Sequence, residues 1–445
     1  MTACQYPSWG RLDFGPQHGE RIPAENFSLD ALASSPPYLP YGNGRSYGDS
    51  CLNTQGALLD CRGLSKILDF DEKTGVIKCQ AGVLLSQILD HALPKGWILP
   101  VTPGTRFVTI GGCIANDVHG KNHHQAGTFG RHALCFELKR SNGETLLCSP
   151  EENPDLFRAT IGGLGLTGLI SWAEIQLSPC QNPVIHQETL KFSGLDGFFD
   201  LSEESDANHE FTVAWVDCLA RGKSLGRGHF IRGNYSPATP GKSAGPRTIQ
   251  MPFDPPFSLV NKLSLRAFNS LYYNRQAAPK KSRIVPCRTF FYPLDAIEHW
   301  NRLYGKKGFY QYQCVIPPES SREGVREILD RIAAAGIGSF LAVLKRFGNI
   351  TSPGLLSFPR PGVTLALDFP NQGPKTLALF NKLDQVAAQA GGALYPAKDA
   401  RMSPKMFRLS FPALEKFLPH VDPAFSSCFW RRQIMGAGNK ICDFR

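Results

Sequence analysis

The residues best suited to chemistry lie close together at positions 111–130, GGCIANDVHGKNHHQAGTFG. The stretch is rich in glycine, which lets a backbone approach a ligand closely and adopt positive φ. His119, Lys121, His123 and His124 add hydrogen-bond donors and one fixed positive charge. This composition argues against an amphipathic helix or a regular strand. A glycine-rich surface loop is the simpler alternative, and the rest of the chain favours a ligand site.

The three histidines of this stretch raise the question of a metal site. Gly120 disfavours a helix that would align them, and no cysteine or glutamate lies within five residues of any of the three histidines to complete a ligand set. We therefore predict no metal, and we interpret His123 and His124 as hydrogen-bonded structural residues.

Two further turns are suited to binding phosphate. Residues 40–50, PYGNGRSYGDS, can present bare backbone N–H groups to an anion, and Arg45 adds charge. The alternative is a tight turn between strands. Residues 103–106, Pro-Gly-Thr-Arg, form a second such turn, which leads directly into 111–130.

A third glycine-rich segment, residues 162–168, contains a formal G-x-G-x-x-G at Gly163, Gly165 and Gly168. A dinucleotide fingerprint requires a strand before the glycines and a helix after them. Here a helix is predicted before them, at 154–159, and an alternating strand after them, at 169–177. The order is inverted, so we reject a Rossmann site. Three glycine-rich segments without a Walker lysine motif indicate instead a large phosphate-bearing cofactor held by backbone.

The elements that position these loops change character near residue 184. Before it, short strands surround a helix at 85–92, and Ser141-Asn142-Gly143 predicts a hairpin turn. After it, longer alternating strands predict an antiparallel sheet, and two helices carry apolar stripes at helical spacing. The predicted elements are strands at 57–61, 67–70, 76–80, 133–140, 144–148, 211–217, 309–316 and 340–347, helices at 322–335 and 375–390, and a capped helix from Ser403-Pro404.

Alternation along two of the later strands assigns polar side chains to faces. Gln311 and Gln313 share one face, while Lys345 shares a face with Val343 and points away from Arg346. A lysine among apolar neighbours on a strand is either an edge residue or a ligand contact, and the sequence leaves both open.

Residues 236–256 contain six prolines and predict a mobile loop. It is either an inert insertion or a lid, in which Phe253, Phe257 and Leu259 would cover an apolar ligand tail.

Composition limits the class of protein. A chain of 445 residues predicts two domains. The formal charge of +10 suggests an anionic partner, and the absence of a long Lys/Arg run argues against nucleic acid. The 13 cysteines form no C-x-x-C pair, which favours reduced cytosolic thiols. With no signal-peptide pattern and no apolar run of spanning length, we expect a cytoplasmic protein with at most peripheral membrane contact.

A resemblance covers nearly the whole chain, from Trp9 to Pro423. GNGRSYGD, then PGTRxVTIGGxIAxDxHGKNHHxxGxFG, then IGGxGLTG follow in the order found in one family. Gln311-Tyr312-Gln313, Lys345 and Tyr395-x-x-Lys398-Asp399 match as well. The chain resembles the FAD-dependent decaprenylphosphoryl-β-D-ribose oxidases, within the vanillyl-alcohol-oxidase-like flavoproteins.

The resemblance implies an α+β fold. Residues 1–183 would form an FAD-binding domain of two subdomains, completed by 394–445, and residues 184–393 a substrate domain with a mainly antiparallel sheet flanked by helices and a flexible loop at about 236–260. Related flavoproteins often bond FAD to a histidine of the first glycine loop, and since 40–50 lack one we expect non-covalent FAD. The implied FAD contacts are Pro40, Tyr41, Gly42, Asn43, Gly44, Arg45, Ser46, Tyr47, Gly48, Asp49, Ser50, Gly104, Thr109, Ile110, Gly111, Gly112, His119, Gly120, Lys121, Asn122, Gly165, Thr167, Gly168, Ile170 and Tyr395.

The implied reaction is oxidation of the ribose 2-hydroxyl of a polyprenyl-phosphoribose to the 2-keto sugar. A separate NAD(P)H-dependent short-chain reductase would then give the arabinose epimer, at the inner face of the plasma membrane. Lys398, helped by Tyr47 and His119, is the candidate base; it could equally stay charged and bind flavin or phosphate. The implied substrate contacts are Gln313, Lys345, Lys121, Lys398, Thr364 and Ala366.

One strand departs from the family pattern. Its best-known members carry asparagine and cysteine where this chain has Thr364 and Ala366. Covalent capture of inhibitors at that cysteine should be absent, and the substrate is less firmly implied than FAD. A soluble sugar, alditol or aldonolactone is the alternative substrate. A non-catalytic basic protein that binds membrane or nucleic acid is the alternative from another class.

Overall fold

A computed structural model describes residues 6–24, 27–29, 35–238 and 249–434. It contains strands and helices in every part of that range, arranged as sheets with helices packed on them, and the predicted α+β class is confirmed. None of the helices in these ranges combines the length and apolar character that crossing a bilayer requires.

The described residues form twenty strands, numbered here in chain order. They are β1 His18–Arg21, β2 Tyr38–Tyr41, β3 Ala57–Asp60, β4 Ile67–Asp71, β5 Val76–Gln80, β6 Trp97–Ile98, β7 Ala133–Lys139, β8 Thr145–Cys148, β9 Leu169–Gln176, β10 Ser178–Pro179, β11 Val184–Phe192, β12 Phe211–Val216, β13 Gly228–Tyr235, β14 Ile249–Gln250, β15 Lys280–Pro286, β16 Ile297–Glu298, β17 Phe309–Ile316, β18 Ala342–Phe347, β19 Gly362–Pro370 and β20 Ala393–Leu394.

Twelve α-helices lie in the same described ranges. They are α1 Leu85–Ala92, α2 Ile110–Ala115, α3 His123–Ala126, α4 Pro154–Thr160, α5 Leu195–Asp206, α6 Lys262–Asn274, α7 Cys287–Phe291, α8 Ser321–Ala335, α9 Pro374–Gln389, α10 Pro404–Ser410, α11 Leu414–Phe417 and α12 Cys428–Ile434. Short 3₁₀ turns at Asp49–Cys51 and Pro396–Lys398 matter for the site.

Two small sheets carry the glycine-rich loops. A three-stranded parallel sheet has the order β1-β3-β2, and a five-stranded antiparallel sheet has the order β4-β5-β9-β7-β8. The loop 42–48 leaves the end of β2, and residues 162–168 lead into β9. Leu58, Cys79 and Ala173 are fully buried, so apolar packing fixes the strands from which these loops emerge.

The later strands form one eight-stranded sheet with the order β15-β11-β13-β12-β18-β19-β17-β20. Every pairing within it is antiparallel, as predicted. Helix α8 buries Val325, Ile328, Leu329 and Ile332 at helical spacing and ends at Gly336, whose φ is 65°. Each such side chain contributes roughly 1.5–3 kcal/mol by burial. The domain boundaries at 183/184 and 393/394 stay a prediction.

The chain after β20 returns to the first glycine loop. The 428 backbone N–H donates to the carbonyl oxygen of Leu52, and Arg432 pairs with Asp49 and Asp399 at 2.8 and 3.2 Å. This segment therefore holds residues 40–52 against the turn that carries Lys398.

The expectation that 111–130 contains no helix is wrong. Helix α2 occupies its first residues and α3 its middle. The Thr109 hydroxyl accepts a hydrogen bond from the backbone N–H of Gly112 and caps α2, while Cys113 and Ile114 are fully buried. Capping and burial outweigh the low helix propensity of two glycines because the helix has fewer than two full turns.

Candidate active site

The three glycine-rich segments and the eight-stranded sheet surround one cavity of about 2210 Å³. Strands β17 and β18 supply one wall, the glycine-rich loops supply the opposite wall, and the turn after β20 closes the space between them. This volume exceeds the usual size of a small-molecule pocket several-fold. It is large enough for a dinucleotide cofactor together with a second ligand.

Most of the predicted site residues line this cavity. Those that do are Pro40, Gly42, Asn43, Gly44, Arg45, Ser46, Tyr47, Ser50, Gly104, Thr109, Gly111, Gly112, His119, Gly120, Lys121, Gly165, Gly168, Ile170, Gln313, Lys345, Ala366, Tyr395 and Lys398. Strand β18 lies between β12 and β19, so Lys345 is not at the edge of the sheet. Of the two alternatives that the sequence left open, the structure favours the ligand contact, because Lys345 lines the cavity.

Three predicted FAD contacts lie behind the wall instead. Ile110 is fully buried in the core. The Tyr41 hydroxyl donates to the backbone carbonyl of Pro7 at 2.7 Å, and the Asn122 side chain donates to that of Pro100 at 2.9 Å. These side chains hold neighbouring backbone segments together and do not reach the cavity.

Thr167 and Thr364 were also predicted as contacts and also lie outside the lining. The Thr167 hydroxyl is hydrogen-bonded to that of Thr160 at 2.8 Å, and both residues are buried. The Thr364 hydroxyl accepts from the Gln313 side chain at 3.2 Å, so Thr364 acts on the cavity only by orienting Gln313.

Gly48 and Asp49, the last two exceptions, join the first loop to the C-terminal segment. A Cβ atom on Gly48 would lie 1.8 Å from the Asp399 carbonyl oxygen. The Asp49 carboxylate is 2% exposed and accepts from Arg432 at 2.8 Å. Both residues support the loop through protein contacts and leave ligand contact to their neighbours.

Replacing Gly48 by alanine should therefore destabilise the protein by about 1–3 kcal/mol, because the methyl group meets backbone that cannot rotate away. The loop would shift, so we also expect weaker retention of FAD. Urea unfolding of the flavin-free protein measures the first effect, and flavin fluorescence on dilution the second. Gly104→Ala is the matched stability control, since a Cβ atom there meets nothing within 4 Å. Equal stability of the two variants would contradict the packing argument.

The first loop carries unused hydrogen-bond donors. Within the described ranges, the backbone N–H groups of residues 43–46 donate to no protein acceptor, whereas that of Tyr47 donates to Ala397 O at 2.9 Å. Ser8 Oγ, Arg45 Nε and Ser50 Oγ are buried without a partner, and all three residues line the cavity. Consecutive free N–H groups beside a guanidinium suit a pyrophosphate. The loop therefore fits the diphosphate part of FAD.

Glycine has two different uses around the cavity. At Gly42 and Gly120 a Cβ atom would meet protein atoms at 2.4 and 2.8 Å, so these glycines are required by the packing of the fold itself. Gly104 faces open space, which leaves its backbone accessible to a ligand. Close approach to a cofactor thus explains only some of the glycines in the loops around the cavity.

Three half-buried lysines converge on one part of the cavity. Lys121 donates to the backbone carbonyl of Phe290 and lies 4.4 Å from that ring, and Lys345 lies 3.5 Å from the carbonyl of Gly120. Burial lowers the pKa of Lys121 to about 7, helped by repulsion from Lys345, and lowers the pKa of Lys345 to about 8. The third lysine is Lys398. Among the described residues, no salt bridge includes Lys121, Lys345 or Lys398. The cluster can accept an anion.

Lys398 is held over the ring of Tyr47, with Nζ 3.7 Å from the centroid. Burial lowers its pKa, and Lys345 lowers it further, whereas Asp368 raises it. Burial keeps the Tyr47 pKa well above its usual value, and the nearby Asp368 adds to this, so the phenol stays protonated. Tyr47 is therefore a platform for Lys398, while Lys398 has the lowered basicity that a neutral amine needs near pH 7.

Asp368 is a site residue that the sequence reasoning missed. It is 1% exposed, and the Gln311 side chain donates to it at 2.5 Å. Burial raises its pKa to about 7, while Gln311 and Lys398 lower it. The signal was an aspartate inside the apolar run Leu365–Phe369, since aspartate is depleted in strands and its burial demands a partner.

His119 is placed by its neighbours as a neutral imidazole. Its ring centroid lies 4.8 Å from that of Phe347 and 5.5 Å from that of Tyr395. Burial lowers its pKa well below the usual value, and Lys345 repels the protonated form. Its Nε2 is 3.2 Å from the Gln313 side-chain nitrogen. His119 can therefore orient Gln313 and accept a hydrogen bond.

The other two histidines differ from each other. His124 bonds through Nε2 to the carbonyl of His209 at 2.8 Å, as expected of a structural residue. The expectation that His123 is hydrogen-bonded is wrong within the described residues, because both its ring nitrogens are buried without a partner. Its ring packs on Phe347 at 4.5 Å, and burial lowers its pKa to about 3, so it is a neutral packing residue.

The outer part of the cavity is aromatic. The Trp9 ring lies 5.7 Å from that of Trp300, and Arg45 stacks over Trp9 at 4.2 Å. Phe340 and Trp215 line the same region. This wall offers apolar surface to a ligand whose polar end reaches the lysines.

Residues 239–248 of the predicted lid lie outside the described residues, and residues 249–259 lie within them. Phe253, Phe257 and Leu259 are 60, 69 and 36% exposed, and their role as a lid over an apolar ligand tail stays a prediction. The segment nevertheless reaches the cavity, because Asp254 lines it and pairs with Arg11 at 2.6 Å.

Comparison with known proteins agrees with this geometry. A family profile described as an FAD binding domain matches residues 29–149. The decaprenylphosphoryl-β-D-ribose oxidase of Mycolicibacterium smegmatis is 37% identical over 407 residues, 88% of each chain. An uncharacterised protein of Streptomyces coelicolor is 33% identical over 79% of this chain and 99% of its own. A putative D-arabinono-1,4-lactone oxidase of Neurospora crassa matches over only 28% of this chain, at 34% identity.

These relationships decide between the classes of function. A non-catalytic basic protein would need neither an FAD-binding profile nor a cavity lined by cofactor-binding loops. The expectation of FAD as cofactor is confirmed. The chain therefore belongs to the decaprenylphosphoryl-β-D-ribose oxidase family and is an FAD-dependent oxidoreductase.

Proposed function

We propose that this enzyme oxidises the ribose 2-hydroxyl of a polyprenyl-phosphoribose to the 2-keto sugar, the first half of an epimerisation to the arabinose form. The observation that carries the proposal is the cluster of Lys121, Lys345 and Lys398, none of which forms a salt bridge among the described residues, where the cofactor loops meet the substrate sheet. A phosphate between Lys121 and Lys345 would favour their charged forms and offset the cost of burying them, which leaves Lys398 for the hydroxyl.

The apolar part of the substrate finds its counterpart in the aromatic wall. Trp9, Trp300 and Phe340 line the same cavity as the three lysines and Asp254. A soluble sugar or lactone would leave this surface without a ligand group to cover. A cavity lined both by lysines and by this aromatic wall therefore supports a lipid-linked sugar phosphate.

The chemistry requires loss of a hydride from C2 and of a proton from its hydroxyl. FAD, when bound, supplies the two-electron acceptor. Lys398 is our candidate for the proton acceptor, since its lowered pKa gives a neutral amine near pH 7. Asp368 faces it from β19 and can receive the proton in turn, because burial raises the pKa of that carboxyl. Gln313, oriented by His119 and Thr364, can hold the sugar.

The strand that departs from the family pattern leaves the site more apolar. Ala366 lines the cavity where the best-known members carry cysteine. Its methyl group offers no nucleophile to an electrophilic inhibitor, so we expect reversible inhibition only. Thr364 replaces an asparagine behind Gln313 and keeps a hydrogen bond to it at 3.2 Å.

The proposed product implies one partner, and the polyprenyl chain of the substrate implies a second. A 2-keto sugar must be reduced to reach the arabinose form, so we propose a separate NAD(P)H-dependent short-chain reductase. A polyprenyl chain resides in a membrane, so we propose peripheral contact with the inner face of the plasma membrane from the cytoplasm. The eleven cysteines of the described residues are all free thiols, which suits a reducing compartment.

Anaerobic mixing of the FAD-loaded enzyme with candidate substrates tests the proposal. Polyprenyl-phosphoribose should bleach the flavin absorbance in a single turnover, whereas free ribose, alditols and aldonolactones should not. Bleaching by a lactone alone would assign the enzyme to soluble substrates. The same preparation, precipitated with acid, should release its flavin into the supernatant, since residues 40–50 contain no histidine for covalent attachment.

A further inference from the structure

Helix α6 presents an unusual surface at the edge of the cavity. It packs inward through Leu265 and Asn269, which are 1% exposed. Leu263 and Leu271, two turns apart on the opposite side, are 78 and 74% exposed. Since i and i+8 share a helix face, these leucines form an apolar stripe in solvent, with Ala267 between them. Nothing in the described structure covers this stripe.

Positive charge flanks the stripe. From 249 to 291 the sequence contains seven Lys or Arg residues and one acidic residue, Asp254. Arg266 flanks the stripe on α6 and Lys262 lies at the start of the helix, and both are exposed. The edge strand β15 adds three more exposed cations, Lys280, Lys281 and Arg283. Asp254 is paired with Arg11, and two of the seven cations are paired as well, Lys280 with Glu188 and Arg288 with Asp90. The other five form no salt bridge among the described residues, so this part of the surface carries a net positive charge.

A second group of exposed apolar residues lies on the segment before α6. Ile249 pairs with Ile297 between β14 and β16, and these side chains are 65 and 38% exposed. Phe253 and Phe257 are 60 and 69% exposed. The backbone N–H of Leu259 donates to the carbonyl of Leu303, which attaches the segment to the same cavity wall.

The stripe is continuous with the cavity. The rings of Phe268 and Tyr272 on α6 stack at 5.6 Å, and both residues line the cavity. Phe268 also meets Phe340 at 4.7 Å, and Tyr272 meets Trp215 at 4.5 Å. An aromatic row, formed by Phe268 and Tyr272, thus connects helix α6 to the aromatic wall of the cavity at Phe340 and Trp215.

We propose that α6, with Ile249, Phe253 and Phe257, docks the enzyme onto an anionic lipid bilayer. The α6 face would lie in the headgroup region, with its leucines toward the acyl chains and Lys262 and Arg266 toward lipid phosphates. The aromatic row then receives a polyprenyl tail directly from the bilayer. This placement rests on the proposed function, because a soluble substrate would need no such path.

Charge and shape favour lipid over a protein partner. The apolar residues are exposed side chains on two separate segments, and exposed cations lie near them. An anionic bilayer complements that pattern without requiring a matching surface. Each cation near the headgroups strengthens that binding.

Flotation of the FAD-loaded enzyme with phosphatidylglycerol-containing vesicles tests the surface, with phosphatidylcholine vesicles for comparison. We expect binding to the anionic vesicles that weakens with salt. Leu263→Ser/Leu271→Ser and Lys262→Glu/Arg266→Glu should each lower the partition coefficient at least ~10-fold. The matched controls, Leu409→Ser (53% exposed) and Lys416→Glu (exposed), should bind as the unaltered enzyme does.

Flavin bleaching by a short-chain, detergent-dispersed substrate separates the two proposals. If docking is right, the α6 variants keep this single-turnover rate and lose turnover only with vesicle-embedded substrate. Absence of vesicle binding by an enzyme that still bleaches with polyprenyl-phosphoribose would overturn the docking surface alone. So would unchanged vesicle binding of the α6 variants, or a change in their oligomeric state in place of a change in binding. Bleaching only by soluble sugars would overturn the proposed function instead.

Discussion

Replacing Lys398 by alanine should slow flavin reduction by substrate by about 10²–10⁴-fold while leaving FAD bound, because a positioned base contributes that much. The side chain reaches the cavity from the 3₁₀ turn Pro396–Lys398. The carbonyl oxygen of Ala397 in this turn accepts a hydrogen bond from the backbone N–H of Tyr47. Truncation removes the amine and leaves this backbone contact intact. Stopped-flow absorbance at the flavin band measures the rate. Lys382→Ala, at an exposed position on α9, should change nothing.

The pH dependence of this rate separates a base from a charged binder. Burial lowers the pKa of Lys398. A base must be neutral, so the reduction rate should rise as pH passes upward through that lowered pKa. A binder must be charged, so substrate affinity would instead fall over the same range.

A conservative substitution completes this test. Lys398→Arg should keep most substrate affinity and lose the rate, since arginine stays protonated. A Lys398→Ala enzyme with normal flavin reduction would remove both roles. A normal rate in the Lys398→Arg enzyme would rule out Lys398 as the base and would leave its role as a charged binding residue.

Much of the fold was predictable because local patterns and tertiary packing agree. The hairpin at Ser141-Asn142-Gly143 forms between β7 and β8, and α1 covers the predicted residues 85–92. The Ser403 cap was readable as well, since its hydroxyl accepts from the Met406 backbone N–H. In each case a few adjacent residues specify the element, so no distant contact has to be known.

The site was less predictable where a residue's role depends on a distant segment. Gly48 and Asp49 belong to a phosphate-loop pattern by sequence, but their partners are Asp399 and Arg432, more than 300 positions away. Asp368 was missed for the same reason, because Gln311 and Lys398 meet it only through strand pairing and the C-terminal turn. Patterns identify which residues can act, whereas the topology decides which of them face the cavity.

Replacing Arg432 by leucine should destabilise the protein by about 3–5 kcal/mol at neutral pH, because it strands a buried carboxylate. The Arg432 guanidinium pairs with Asp49 and Asp399, which are 2 and 6% exposed, and also donates to the carbonyl of Met402. Burial raises the pKa of Asp49, and Arg432 lowers it. Without Arg432 that pKa rises further. Urea unfolding followed by tryptophan fluorescence measures the loss.

The loss should depend on pH with a definite sign. In the variant, Asp49 has a folded-state pKa above its unfolded-state value, so both states are protonated at low pH and no charge is stranded. The destabilisation is therefore small below about pH 4, the unfolded-state value, and grows as pH rises toward the raised folded-state pKa. Adding Asp49→Asn to Arg432→Leu should recover part of the stability at pH 7 and little at pH 4.

The consequence for function follows from the position of this ion pair. It fixes the first cofactor loop to the segment bearing Lys398, so the variant should release FAD at a lower temperature than it loses its tryptophan signal. Arg326→Leu is the matched control, because Arg326 pairs with Asp196 in solvent and exposed pairs contribute at most about 1 kcal/mol. If the two variants lost equal stability, or if Asp49→Asn worsened the Arg432→Leu protein at pH 7, the buried pair would not be what joins the C-terminal segment to the cofactor loop.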